Sequence, residues 1–427
     1  MTMTSELIWG FAFFAGALSR LVAHLSGWPA VVLLLASGLL IGDAGLDWVQ
    51  PEALGGGLES LVGLLVSLVL FDGGLNLRLA GRDLQRAVLQ LVLTRGLLGL
   101  AGGALLAHEL AGLSWPLAWV FGAIALGTGP TVITPLVQQM RLVPRLSTVL
   151  EAEGLILEPV GAVLALLLLQ LALGALSQWD QVLPLLLLRL GGGVLIGSLS
   201  GWLLVLVLER LPQEAEGLKL QLSLGVLFLL VSGTQVLLPE AGLPAAVSAG
   251  VVVGLGLKEE ASSLDALIAH LAQLAITVLF PLLAADLSWG ELSPLGWGGV
   301  SCVAALMLFR WLVVQAGSLG LPGLSWGDKL MLSWVAPRGI VTAAVASLFA
   351  LKLDAAGTPG GGALKGLVFL TILITVAVQG LSAPLLARRL GLVESDLEAA
   401  LDASPGLAAG LEQQPGGEQV GALEAAE

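Results

Sequence analysis

Charge is scarce in this chain: Asp, Glu, Lys and Arg make up 11% of its 427 residues, against roughly 25% in a soluble domain. A length that would ordinarily suggest two or three water-soluble domains cannot cover their surfaces at that density. Cysteine is nearly absent. The single Cys302 excludes an intramolecular disulfide framework and any cysteine-rich metal site. The three histidines, His24, His108 and His270, share no ligand spacing. There is no HExxH run and no histidine beside a motif serine in mid-span, so the chain is not expected to be an enzyme. No basic patch exists, and nucleic acid is not an expected partner. Before Arg20 the only charge is Glu6. The basic leader of a signal peptide is therefore missing, and the first apolar run is expected to remain as a helix.

What is present is apolar. Hydrophobic residues reach 57% and the mean hydropathy is +0.96. Leu110 to Met140 runs 31 residues without a charge, and Gly366 to Ala387 runs 22. About 18 suffice to cross a bilayer, so the pattern predicts an all-α polytopic membrane protein whose solvent is lipid. Runs bounded by Gly, Pro or charged clusters predict about thirteen transmembrane helices, near 7–25, 28–46, 57–76, 84–107, 114–137, 148–175, 182–208, 220–238, 241–257, 264–287, 295–319, 327–351 and 364–390. The 57 glycines suit close helix approach within the membrane. The net charge of −13 is uneven: residues 392–427 hold eight acids and no base. Rich in Gly, Ala, Pro and Gln, that segment reads as an acidic disordered tail.

Lysine and arginine set orientation. With the C-terminus inside, the inner segments carry Arg20, Arg78, Arg82, Arg86, Arg141, Arg145, Arg210, Lys219, Lys258, Lys329, Arg388 and Arg389; only Lys352 and Lys365 fall outside. The N-terminus is expected outside and the C-terminus in the cytoplasm. Two spans are interrupted, the fifth by Gly127-Thr128-Gly129-Pro130-Thr131 and the twelfth by Ala336-Pro337-Arg338-Gly339. If the seventh helix is a linker, the breaks take the fifth place in each of two inverted repeats. Matched broken helices point to a midplane binding site in a secondary transporter.

Charged groups inside spans cost about 2.5–3.5 kcal/mol each on insertion scales. Glu158 lies ten residues past Thr148, about 15 Å into the membrane. Pro159 cannot donate its backbone N–H, which frees a carbonyl near residue 155. Glu153 is rotated about 140° from Glu158 and needs a cation. Arg338 at the other break is the expected partner, making a core ion pair through bidentate hydrogen bonds. Glu151 reads as a rim charge. Asp72 is an ion-path candidate near the inner end of the third span. Arg95 and Arg310 are buried bases suited to neutralising a helix C-terminus or a carboxylate, with partners unassigned.

In this order, Phe71-Asp72-Gly73-Gly74-Leu75, Gly127-Thr128-Gly129-Pro130-Thr131, Glu151-Ala152-Glu153-Gly154 through Glu158, and Pro337-Arg338-Gly339-Ile340-Val341 resemble the monovalent cation/proton antiporter superfamily. The NhaP-like branch of sodium/proton exchangers is the most similar, over about residues 7–391. The resemblance implies the sodium/proton antiporter fold and a homodimer in a prokaryotic inner or plasma membrane. The dimer domain would be about 7–83 and 182–290, and the core domain about 84–175 and 295–391. Where the family usually carries Asn-Asp, this chain reads Leu157-Glu158; where it often reads Thr-Asp-Pro, this chain has Thr128-Gly129-Pro130. The implied activity is exchange of a monovalent cation, sodium foremost, for protons; with Glu153 and Arg338 a neutral pair, Glu158 carries one proton or one cation, so the exchange is expected to be electroneutral and 1:1. Glu158 would hold the cation, with the Thr128 hydroxyl and the carbonyls near Thr128 and Gly129 as neutral ligands. No cofactor is expected beyond the transported sodium or potassium ion and the proton. Potassium/proton antiport is the alternative, ahead of a proton-coupled organic-solute carrier or a channel.

Overall fold

Every expected hydrophobic segment is helical. The computed structural model describes residues 5–77, 81–176, 178–212, 215–257, 262–321 and 323–394. Arg78, Lys258 and residues 395–427 of the expected tail lie outside them. In chain order the helices are α1 (Ser5–Ser26), α2 (Ala30–Ile41), α3 (Gly56–Asn76), α4 (Arg82–Thr94), α5 (Leu100–Glu109), α6 (Trp115–Ile124), α7 (Pro130–Met140) and α8 (Pro144–Ala172). There follow α9 (Val182–Leu208), α10 (Glu216–Leu237), α11 (Gly242–Leu257), α12 (Ser262–Ala285), α13 (Trp289–Leu292), α14 (Gly296–Gly317), α15 (Trp326–Trp334), α16 (Ile340–Ala355) and α17 (Gly361–Arg389). A π-turn at Arg95–Gly99 joins α4 to α5 in one rod. Among the described residues, eight helices are long and apolar enough to cross a membrane. Among the described residues there is no strand, only an isolated bridge between Leu142 and Val393.

Local chemistry explains the starts and stops. Proline opens α7 and α8 at the first helical position, where its missing N–H would have no partner anyway. Ser325 and Asp328 form a reciprocal capping box at the head of α15. The fifth and twelfth spans are each split, into α6 and α7 and into α15 and α16, at the Gly/Pro motifs. The first break passes through a turn at Ala125–Leu126 to extended backbone at Gly129, and the second is extended at Val335 and Gly339, so backbone groups that a continuous helix would have used are free for other partners.

Packing gathers the helices into two groups. In one, α11 lies against α9 and α3, and α12 against α1, α2 and α3. In the other, α6 packs on α5 and α8, α14 on α15, and α16 on α17. Small residues permit this in lipid, where close van der Waals fit rather than water exclusion drives association. Gly193, Gly197 and Gly201 form a buried stripe on α9, and a Cβ at Gly197 would stand 2.2 Å from the Ala245 carbonyl oxygen of α11. Leucines on the outer faces, such as Leu195 and Leu229, are exposed, as lipid contact requires.

Two details depart from the sequence reading. Lys365, expected in an outer loop, sits in α17 and is buried. The expected tail does not start free at 392: Val143 N–H donates to the Leu392 carbonyl at 3.0 Å, and Glu394 N–H to the Arg141 carbonyl at 2.9 Å. Residues 392–394 are thus pinned along the connection between α7 and α8.

Candidate functional site

Glu158 stands at the middle of α8, fourteen residues from each end, and is 1% exposed. Both of its carboxylate oxygens lack a hydrogen-bond partner among the described residues. A partnerless carboxylate in such a place is costly to the fold, which marks it as a group kept for something other than stability.

Glycines bring backbone up to it from two sides. Gly154 and Gly161 flank Glu158 by about one turn. A Cβ at Gly154 would lie 2.7 Å from the Thr128 carbonyl oxygen, and one at Gly161 2.7 Å from the Ala123 carbonyl oxygen. The break between α6 and α7 therefore rests against α8 on both sides of the carboxylate. The other break crosses it there. A Cβ at Gly339 would fall 2.6 Å from the Gly129 Cα, 3.0 Å from Thr131 Oγ1 and 3.3 Å from Glu158 Oε1. Two interrupted helices meet backbone to backbone beside one free acid.

The neighbouring charges arrange themselves differently from the sequence expectation. Glu153 does not pair with Arg338. Its Oε1 accepts from Arg95 Nη1 at 2.6 Å and Arg310 Nη1 at 3.2 Å, and its Oε2 from Arg310 Nη2 at 3.1 Å. Arg95 and Arg310, reaching in from the α4–α5 rod and from α14, occupy both oxygens. Arg310 also donates to the Leu332 and Val335 carbonyls at the C-terminal end of α15. It fills both roles anticipated for it, neutralising a carboxylate and a helix terminus. Arg338 instead donates from Nη1 to the Gly127 carbonyl at 3.1 Å, where α6 ends. It still lies within the field of Arg95, Arg310 and Glu153.

Other expected ligands are partly committed. The Thr128 hydroxyl accepts from Arg95 Nη1 at 3.2 Å, which ties it to the Glu153 cluster. The Gly129 carbonyl accepts the Val132 and Ile133 N–H groups at 3.0 Å each, the first bonds of α7. Asp72, on α3, lies near two further acids, Asp265 and Glu151, and its Oδ1 accepts from Asn76 Nδ2 at 3.3 Å. That places it with an acidic rim rather than in the crossing.

Sequence reasoning passed over Thr131 as a ligand. It also passed over two residues of α17: Gln379 Oε1 accepts from Ala336 N–H at 3.0 Å, and Thr375 Oγ1 from Arg338 N–H at 3.3 Å. These side chains satisfy the N–H groups freed by the second break. Their signal was available, as polar residues four apart within an otherwise apolar run.

A helical membrane bundle with two interrupted helices, crossed beside an unpartnered buried carboxylate, defines a secondary-transporter architecture. The family model described as "Sodium/hydrogen exchanger, transmembrane" matches residues 10–389, and the chain belongs to that family. The K(+)/H(+) antiporter NhaP2 of Shewanella sp. (strain ANA-3) is 26% identical over 387 residues. That match takes in 87% of this chain but 65% of the relative, so the chain spans about two thirds of the NhaP2 length. Na(+)/H(+) antiporter 1 of Methanocaldococcus jannaschii is 25% identical over 414 residues, 89% of this chain and 94% of that one. The solved structure of the sodium proton antiporter MjNhaP1 from the same organism, at pH 8, has a TM-score of 0.76 at 23% identity, covering 88% of this chain and all of its own (100%). The fold is the same.

Proposed function

We propose that this protein is a secondary active antiporter that exchanges a monovalent cation, sodium foremost, for a proton, one for one and without net charge movement. The observation that carries this reading is Glu158: mid-helix, buried, with both oxygens unpartnered where the two breaks cross. A cation stripped of water needs oxygens to replace its hydration shell, and a proton needs a base. One carboxylate serves either, but not both together. Glu153 is held by Arg95 and Arg310 and takes no part in the exchange. It anchors α8 to the α4–α5 rod and α14.

The cycle moves the loaded core, about 84–175 and 295–391, against a dimer domain of about 7–83 and 182–290, so that Glu158 faces each side in turn. The arrangement is a homodimer of thirteen-span chains in a prokaryotic plasma membrane, N-terminus outside and C-terminus inside. Thr128 contributes its backbone oxygen, while the Gly129 carbonyl, expected from the sequence as a ligand, is held by the first bonds of α7. Potassium is the second reading, favoured by the relatives named as K(+)/H(+) antiporters.

The test is proton flux in proteoliposomes, driven by a gradient of each alkali cation in turn. Glu158→Gln should abolish cation-driven flux in a protein that still folds, and Glu158→Asp should retain part of it. Full exchange by the Gln variant would remove Glu158 from the site.

A further inference from the structure

Glu158 does not hold the only uncommitted oxygens at the crossing. Thr131, in the first turn of α7, is 1% exposed, and its hydroxyl has no hydrogen-bond partner among the described residues. Threonines elsewhere in these helices bond back to the carbonyl four residues earlier. Thr234, Thr277, Thr371 and Thr375 all do so, at 2.6–2.7 Å. Thr131 sits in the first turn of α7, whose N-cap is Gly129, so the residue four earlier, Gly127, lies in the break before the helix, and its carbonyl accepts from the Arg338 guanidinium at 3.1 Å. The other threonines of the crossing are engaged: Thr128 accepts from Arg95, and Thr342 donates to the Gly339 carbonyl.

Position matters as much as availability. Thr131 Oγ1 and Glu158 Oε1 lie 3.0 and 3.3 Å from the same point, the place a Cβ on Gly339 would take. Thr131 Oγ1 is also 2.9 Å from the place of a Cβ on Gly129. A hydroxyl and a carboxylate thus border one small space that two glycines keep open. The lone pairs of a threonine hydroxyl can serve a cation as a neutral ligand, adding an oxygen that the carboxylate alone does not supply.

We propose that Thr131 is a direct ligand of the transported cation and sets the affinity with which it is captured. The inference rests on the reading of Glu158 as the exchanging acid and names a second residue of the same site.

The experiment uses the full chain in proteoliposomes and separates KM for sodium, potassium and lithium from kcat. Thr131→Val keeps the shape and removes the oxygen; Thr131→Ser keeps the oxygen. The Val variant should raise KM for the transported cation roughly tenfold, the loss of one ligand bond of about 1.4 kcal/mol, with kcat at saturating cation within about twofold. The Ser variant should stay close to the parent. Cation-induced thermal stabilisation of the detergent-solubilised protein, measured with sodium and potassium chloride against choline chloride, should weaken in Val and persist in Ser. If Val fails to fold, Thr131→Ala against Thr131→Ser makes the same comparison. An unchanged KM in a folded Val or Ala variant overturns the proposal, as does equal impairment of Ser. If Glu158→Gln is inactive while Thr131→Val keeps its KM, only Thr131 leaves the site; if Glu158→Gln remains active, both readings fall.

Discussion

Three guanidinium groups surround Glu153, yet only two of them touch it, and this division of labour can be measured. Removing Arg310 strips Glu153 of its bidentate partner and uncovers the Leu332 and Val335 carbonyls. Breaking a buried ion pair in this way costs about 3–5 kcal/mol. Arg310→Met should therefore lower thermal stability in detergent more than Arg338→Met, which gives up a bond to one carbonyl. Combining Glu153→Gln with Arg310→Met should recover much of the loss, whereas Glu153→Gln with Arg338→Met should be close to additive. The sequence announced Glu153, Glu158 and Arg338 because charge in an apolar run is conspicuous. It did not announce the pairing. Arg95 is 58 residues from Glu153 and Arg310 is 157 away, and which of three arginines reaches a given carboxylate depends on depth and azimuth that only the packed helices define.

Helices joined by charge at one end of the bundle show the same logic at the level of elements. Lys365 of α17 donates to Asp286 Oδ2 and to Glu291 Oε1, at 3.1 Å each. Ser347 of α16 donates to the same Asp286 oxygen at 2.7 Å. Asp286 follows α12 and Glu291 belongs to α13, so one buried lysine ties four helices across the two packing groups. Lys365→Met should lower the melting temperature by an amount nearer the about 3–5 kcal/mol of a broken buried pair than the about 1 kcal/mol of an exposed one. Adding Asp286→Asn should restore part of it. Span positions were readable because hydrophobic runs and Gly-Pro breaks are local signals. The π-turn at Arg95–Gly99 was not, since nothing in Arg-Gly-Leu-Leu-Gly distinguishes it from ordinary helix until Arg95 is required to reach Glu153.

For the molecule as a whole, the decisive number is the charge carried per cycle. One free carboxylate exchanging one proton for one monovalent cation moves none. Proton flux driven by a sodium gradient should then be indifferent to a voltage imposed with potassium and valinomycin, provided potassium is not itself transported. Each net charge moved would instead bias the flux by about 2.3 kcal/mol per 100 mV. A strong voltage effect would require a second proton carrier, and Glu153 would have to leave its arginines to supply it. The expected orientation rests on counting lysines and arginines, a property of the whole chain rather than of any one segment. The fate of residues 392–394 could not be counted, because it rests on backbone bonds to Arg141 and Val143. Those bonds make the chain just after α17 a mechanical handle. A probe or a load attached there would be coupled through the α7–α8 connection to the helix bearing Glu158, with no slack between them. In the proposed cycle, distances measured from that point to α9 or α11 would follow the excursion of the acid, and a force applied there would act on the proposed stroke.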